Sequence, residues 1–428
     1  MKKVHFLGIG GSGASAAAAI AISQGFEITG CDKNLFNEFT TGFDKKILLQ
    51  GHSASHLEGV NVNLLVITPA ILSLDPNNEE LVAAKEKNIP VLTWQEFMGK
   101  YLMKGKTVIA VCGTHGKSTT TAMIGLMLEK AGFDPTVELG AIVPEWQRNF
   151  KAGRGEHFVV EADEFNDNLL NYHPDITVVT NIEMDHPEYF KNFEQLKNSF
   201  KKFFLQTRKY IVANIADENV AHLLKDVMKE SKIICLDYSK NEFQFTLKIP
   251  GEFNISNAKA VQQVGLILNI NPHTINKSLV SFQGIGRRFE HLGKFKGAKV
   301  YTDFGHHPTE IRVTMEAARE KFPGKKLWLV YEPHMFSRTK FLFDDFVKVF
   351  KNLPVDQTLI LDIYPSREVD TGLISSKQLV DSIGKKNVRY ASGELLKELL
   401  NREVGEGDIV FFMGAGDIDK LARKLITK

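Results

Sequence analysis

"IAVCGTHGKSTTTAMIGLMLEKAG", residues 109–132, joins an apolar run to a turn rich in glycine, lysine and hydroxyl groups, and then to a helical pattern. Residues 107–112 read as a buried strand. The helix opens at Lys117 and stops near Gly132, a residue suited to the left-handed conformation that ends many helices. A helix N-terminus presents unpaired amides and the positive end of a dipole, so a turn placed there can cradle an anion. Gly113 and Gly116 let the backbone close around phosphates, Lys117 reaches the terminal ones, and Ser118 offers a hydroxyl to Mg²⁺. Val111 stands where the general phosphate-loop pattern has its first glycine. The plain alternative is a strand-to-helix turn without a ligand.

Outward from this stretch, strand-like and helix-like runs alternate along nearly the whole chain. "KVHFLGI", "LLVIT", "HFVVEA", "ITVVTN", "KYIVAN", "LWLVYE", "TLILDIY" and "DIVFFMG" are short and rich in β-branched or aromatic residues. That alternation predicts α/β architecture with parallel sheets covered on both faces. At 428 residues the chain exceeds one ordinary core. A linker-like "KGKT" at 104–107, after which the pattern restarts at a new strand, and a further start near "KFKGAKVYTDF" divide it into residues 1–104, 105–290 and 291–428.

A second glycine loop, "GIGGSG", spans Gly8, Gly10, Gly11 and Gly13, follows a strand and opens a helix; Asp32 lies 19 residues beyond it, ending "EITGCD". This context fits a dinucleotide. It fits a nucleotide-sugar diphosphate equally well, because the physics asks only for a diphosphate at a helix N-terminus and a ribose near Asp32. Packing alone is the remaining alternative.

Chemistry-bearing residues gather where strands end. "FVVEADE" carries Glu161, Asp163 and Glu164, with alternation placing the first two on one face. "VVTNIEMDH" carries Asn181, Glu183, Asp185 and His186. A phosphate loop, several carboxylates and a histidine at the carboxyl ends of strands describe a Mg²⁺–nucleotide site. Further on, "TDFGHHPTEI" offers His306 and His307 as hydrogen bonders, bases or ligands, and "EPHMFSRT" offers Arg338 as a fork for carboxylate or phosphate. For each residue taken singly, a solvated charge, a helix cap or a core hydrogen bond is the competing role.

Formal net charge is +2, so no global field draws the chain to nucleic acid or anionic lipid, and an anionic ligand needs a local site. The three cysteines, Cys31, Cys112 and Cys235, have no framework spacing, which fits a reducing cytoplasm. The N-terminal apolar stretch loosely imitates a signal peptide, but its glycines favour strand, turn and helix. No segment has the ~20 apolar residues of a membrane span.

In this order, the pieces resemble the Mur ligase family across essentially the whole chain. Residues 112–118 look like its ATP loop, G-T-x-G-K-[ST]-[ST]. "EADE", "NIEMDH", "NISNA", "RRFE", "DFGHHPTEI", "PHMFSRT", "DIYPSRE" and "GAGDI" look like its further landmarks. The resemblance implies three domains: N-terminal Rossmann-like for a UDP-sugar, central P-loop ATPase-like with a parallel sheet, and C-terminal Rossmann-like for the amino acid. It implies ATP-driven amide formation in peptidoglycan precursor synthesis, with UDP-N-acetylmuramate and L-alanine or a similar small amino acid as substrates. ATP and Mg²⁺ would be the cofactors, and the protein a cytoplasmic monomer or weak homodimer. Cys112, Gly113, Thr114, His115, Gly116, Lys117, Ser118 and Thr119 would hold ATP, with Asn254 and Asn257 at the adenine. Arg288 and Asp303 would contact the nucleotide near the third domain. Ser118, Glu161 and His186 would form the Mg²⁺ shell. Gly8, Gly10, Gly11, Gly13 and Asp32 would hold UDP. Lys117, His186, His306, His307 and Arg338 would serve the reaction, Arg338 also binding substrate.

That reaction brings a carboxylate onto the γ phosphorus of ATP. Two unit charges at 4 Å repel by about 4 kcal/mol at an effective dielectric near 20, which Mg²⁺, Lys117 and an arginine would offset. An acyl phosphate forms and the amino acid's amine then displaces phosphate. The chain departs from the family pattern at Met335, where "PHRYSRT"-like members carry arginine, and at Phe165-Asn166, Phe253 and Thr302. These leave the ATP machinery intact and bear on which amino acid is taken. The competing activities are the recycling ligase that adds a tripeptide to the same UDP-sugar, and an NAD-dependent oxidoreductase built on "GIGGSG".

Overall fold

The computed structural model describes residues 2–58 and 61–426. The outermost residues of the first and third expected domains lie outside that description. Three sheets carry the chain, as the alternation predicts. The first has five parallel strands in the order Leu48–Gln50, Glu27–Asp32, Lys3–Leu7, Leu64–Ile67, Val91–Thr93. The chain steps outward from Lys3–Leu7 on one side, then crosses back to its other side. Strand order therefore reverses at Lys3–Leu7, where an α/β sheet opens its ligand crevice. The loop from Gly8 leaves this strand and enters the helix Ser12–Ser23.

The second sheet has seven strands: Ile234–Asp237, Tyr210–Ala213, Ile176–Val179, Thr107–Cys112, His157–Glu161, Thr136–Val143 and Arg148–Lys151. Only the last pair is antiparallel. Thr107–Cys112 is flanked by strands that come later in the chain, so this sheet too reverses order beside the strand that delivers the phosphate loop. The strand is buried on both faces, which is why it reads as an unbroken apolar run. The helix Lys117–Lys130 follows, and Gly132 is left-handed at φ 83°.

The third sheet runs Glu290–Phe295, Ala298–Asp303, Ile409–Met413, Leu327–Tyr331, Gln357–Ile360, Val388–Tyr390, antiparallel only in the first pair. Its period of two is visible in "LWLVY". Leu327, Leu329 and Tyr331 pack with Phe346 and Phe350 on one face, while Trp328 and Val330 pack with Leu396 and Leu400 on the other.

The chain forms two compact units. One comprises the residues up to Ile182 with Leu196–Phe245 and Asn257–Val280, and holds the first two sheets. The other comprises Glu183–Gln195, Thr246–Ser256 and the residues from Ser281 onward, and holds the third. Among the described residues no helix is long and apolar enough to cross a membrane.

Candidate active site

Each unit carries part of the expected site. In the first, the phosphate loop closes over the end of the strand Thr107–Cys112. Gly116, at φ 84°, occupies the N-cap of the helix, and a Cβ built there would lie 2.8 Å from Asn257 Oδ1. Gly113, at φ 126°, leaves its Cβ position filled by the Thr180 hydroxyl and the Asn181 backbone. Only glycine fits either place. Asn181 fixes the loop from the neighbouring strand end. Its carbonyl accepts from Thr114 N at 3.0 Å and its Oδ1 from His115 N at 2.9 Å. Cys112 is buried, and burial pushes its thiol well up, which makes it a packing residue and not a nucleophile.

Lys117 folds over its own loop. Its ammonium donates to Gly113 O at 2.7 Å, Thr114 O at 3.1 Å and Glu164 Oε2 at 2.8 Å. Burial disfavours the charge, but Glu164, Asp163 and Glu161 outweigh it and hold the lysine protonated. Ser118 Oγ donates to Glu161 Oε1 at 2.8 Å, and Gly140 N donates to Glu161 Oε2 at 2.7 Å. Glu138, in the strand Thr136–Val143, adds a further carboxyl that feels the charges of Glu161 and Asp163. It is buried, one of its oxygens has no hydrogen-bond partner, and burial followed by Glu161 and Asp163 pushes its pKa well up. This all-oxygen set with an orphaned carboxyl oxygen suits a hard divalent cation.

The alternation argument for "FVVEADE" does not hold past Glu161, where the strand ends. Asp163 and Glu164 lie in irregular backbone beyond the strand, and Glu164 becomes the buried partner of Lys117. His186, the third expected metal ligand, belongs to the second unit, while Ser118 and Glu161 belong to the first.

In the second unit His186 sits at φ 54°, its amide donating to Asp185 Oδ1 at 2.7 Å. Asp185 anchors the group. Arg338 Nε donates to the same oxygen at 2.9 Å, while its other nitrogens lie 3.1 Å from His334 Nδ1 and 3.5 Å from His186 Nδ1. Asp185 is 5% and Arg338 2% exposed, so this is a buried ion pair and not a free fork. Burial pushes Asp185 up, but Arg338, then His186, His306 and His307, hold it well below the carboxylate range. Burial and then Arg338 push His306 down to about 4, which leaves it neutral at pH 7. His307 is the N-cap of the helix Pro308–Lys321. Its Nδ1 accepts from Thr309 N at 3.3 Å, and Glu310 accepts in return from the His307 amide. Asp303 spends both oxygens on backbone, accepting from Phe289 N and Gly305 N at 2.8 Å each. Arg288 pairs with Glu310 at 3.1 Å. Asn254 is in this unit and Asn257 in the other. Met335 is buried at φ 71°, its amide donating to Tyr364 O at 2.9 Å.

The N-terminal glycine loop is braced by Asp32, whose Oδ2 accepts from Gly10 N at 2.9 Å. A Cβ on Gly10 would meet that carboxylate at 2.8 Å, and one on Gly13 would run into the Trp94 ring. Gly11 meets nothing closer than 3.5 Å.

Family models cover most of the chain. One described as the Mur ligase family, catalytic domain, matches residues 3–106. The Mur ligase middle domain matches 111–243, and the Mur ligase, glutamate ligase domain, matches 287–416. The UDP-N-acetylmuramate–L-alanine ligase of Alkaliphilus metalliredigens is 36% identical, covering all of this chain and 98% of its own. That of Acetivibrio thermocellus is 38% identical over 99% of this chain and 96% of its own. The chain belongs to the Mur ligase family. The crystal structure of the UDP-N-acetylmuramate-alanine ligase of Thermotoga maritima superposes with a TM-score of 0.79 at 26% identity, covering all of this chain and 99% of that one. A murein peptide ligase of Psychrobacter arcticus shares the fold at TM-score 0.69 and 21% identity, over 100% and 98% of the two chains.

The sequence placed Glu164 and Asp185 only in a general set of carboxylates around a Mg²⁺–nucleotide site and left out Glu138, and the geometry gives each of the three a specific part. Glu164 was visible in "EADE", but its pairing with Lys117 depends on the chain leaving the strand. Asp185 was visible in "NIEMDH". Glu138 sits in "TVELGAIV" as one acid in an apolar strand, a signal that points to a buried carboxyl.

Proposed function

We propose that this chain catalyses ATP-dependent amide formation between L-alanine and UDP-N-acetylmuramate, through an acyl phosphate, in peptidoglycan precursor synthesis. The observation that carries this is full-length identity of 36–38% to L-alanine ligases together with an intact Lys117–Ser118–Glu161 constellation. The first sheet's glycine loop binds the UDP-sugar and the phosphate loop binds ATP. The third sheet's strand ends, around His306 and Arg338, receive the amino acid. We keep the three-domain division at 1–104, 105–290 and 291–428, supported by the three separate sheets, with the third sheet opening at Glu290. We take the enzyme to work in the cytoplasm, where its free cysteines stay reduced.

Lys117 is held charged and aimed along the loop, so it neutralises the terminal phosphates as the substrate carboxylate approaches. Ser118 and Glu161 would hold Mg²⁺, which when bound lowers the repulsion between the reacting anions. Arg338, already locked by Asp185 and His334, adds a fixed positive charge. His306, its pKa pushed down to about 4 by burial and Arg338, is a weak base for an ammonium group and serves as a hydrogen-bonding group.

The test is phosphate release with UDP-N-acetylmuramate, ATP and each amino acid in turn. L-Alanine should support turnover above glycine and serine, and Lys117→Ala should abolish it while the UDP-sugar still binds. Turnover with a tripeptide and none with single amino acids would reassign the chain to the recycling reaction. Nicotinamide binding without ATP turnover would point to the oxidoreductase.

A further inference from the structure

The first sheet holds a second group of ligating side chains that the proposed reaction does not use. It lies on the face that packs against the helix Glu79–Glu86 and the turn Ala54–Leu57. One nitrogen each from His5 and His56, the Cys31 sulfur and one Glu80 oxygen all lie within 4.8 Å of one another. Cys31 Sγ donates to Glu80 Oε1 at 3.0 Å, and His56 Nδ1 is 3.0 Å from the same oxygen. His5, Cys31 and Glu80 are fully buried, while the His56 side chain keeps 14% exposure and marks an entry path.

Two details separate this group from an ordinary buried hydrogen-bond network. His5 Nε2 and Glu80 Oε2 are fully buried and face each other at 3.0 Å, an ion pair when the imidazole is protonated, in a geometry that leaves both atoms short of an aligned hydrogen bond. The other ring nitrogen of His5 is 2.7 Å from the Thr29 hydroxyl, an outer contact of the kind that fixes a metal-bound imidazole. Charge adds a third consideration. A carboxylate buried with a thiol and two imidazoles is balanced either by one protonated imidazole or by a dication, and a dication bound by one thiolate, one carboxylate and two neutral imidazoles likewise sums to zero. Neutrality matters here because an uncompensated charge in a dry region is costly.

We propose that His5, Cys31, His56 and Glu80 form a four-coordinate zinc site that clasps the N-terminal domain. The mixed nitrogen, sulfur and oxygen set selects zinc over magnesium. Ligand atoms ~2.0–2.3 Å from a tetrahedral zinc lie roughly 3.3–3.8 Å apart, so small movements of these side chains admit the ion. Binding releases the thiol proton and ties two strands, a turn and a helix together, which turns binding free energy into folding free energy.

The experiment uses the full chain, stripped with chelator and titrated with Co²⁺ without nucleotide. A single Co²⁺ should bind with a thiolate-to-metal charge-transfer band in the near ultraviolet, and Zn²⁺ should displace it. Cys31→Ser should abolish the band and Cys235→Ser should keep it. His56→Ala, on the exposed side of the group, is the variant expected to fold without the ion. It should bind Co²⁺ more weakly by more than the roughly 10–100-fold typical of an outer-shell change. Zn²⁺ should raise the unfolding temperature of the wild type and not of His56→Ala. The inference falls if Co²⁺ binds without a thiolate band, if the band survives Cys31→Ser, or if Zn²⁺ moves both unfolding temperatures equally. Because no nucleotide, sugar or amino acid is present, failure here leaves the ligase reaction untouched.

Discussion

Replacing Asp185 by asparagine tests the reading of Arg338 as a locked cation. The pair is 2.9 Å long, with the partners 5% and 2% exposed. At that separation and an effective dielectric near 20, the Coulomb attraction is about 6 kcal/mol. Desolvation cancels part of it, but asparagine removes the attraction and leaves the guanidinium buried. The expected loss is about 3–5 kcal/mol. A double variant, Asp185→Leu with Arg338→Met, buries no charge and should lose far less than the sum of the single changes, with coupling of about 2 kcal/mol or more. Urea unfolding followed by Trp328, which lies in the third-sheet core, reads this in a Trp94→Phe/Trp146→Phe background. Asp185 also carries a pH signature. Its folded pKa is depressed, so its contribution is present above the ordinary 3.8 and fades as pH falls below it toward the folded value. Loss below about 1 kcal/mol for Asp185→Asn, or single effects that simply add, would refute a buried, mutually dependent pair.

Gly116→Ala should weaken ATP binding and cost about 1–2 kcal/mol, because alanine resists φ 84° and its Cβ presses on Asn257; calorimetric titration and unfolding check the two effects. Glu138→Gln should stabilise the cation-free protein at neutral pH. The raised folded pKa means the native carboxyl loses stability as pH rises through it, so the two proteins should converge as pH falls to the ordinary 4.5, and parallel pH curves would sink the assignment. His307→Ala should cost about 0.5–2 kcal/mol through the lost helix cap, and His307→Asn should recover most of it in thermal unfolding. A His307→Asn enzyme that is stable but inactive would instead give His307 a chemical part.

The α/β class, the two glycine loops and the helix that starts at Lys117 were legible because each is written locally. Periodicity of two or of 3.6 reports burial within a few residues, and a glycine forced to positive φ is a property of its own turn. At His307 the sequence held two readings at once: "HHPTE" suggested chemistry, while Pro308, Thr309 and Glu310 read partly as a helix start, and the structure makes His307 the cap of that helix.

What the sequence determined by itself was therefore which segments form strands and helices, and which loops face a ligand. The pairings across distance were decided only in the tertiary structure: Lys117 with Glu164, Asp185 with Arg338, and His5 and Cys31 with Glu80. Such partners lie tens to more than a hundred residues apart. Strand order and the exact place where a strand ends bring them together, and neither is encoded in the local spacing of residues. The chemistry of each group follows from burial beside its partner, so it appears only once the chain has folded.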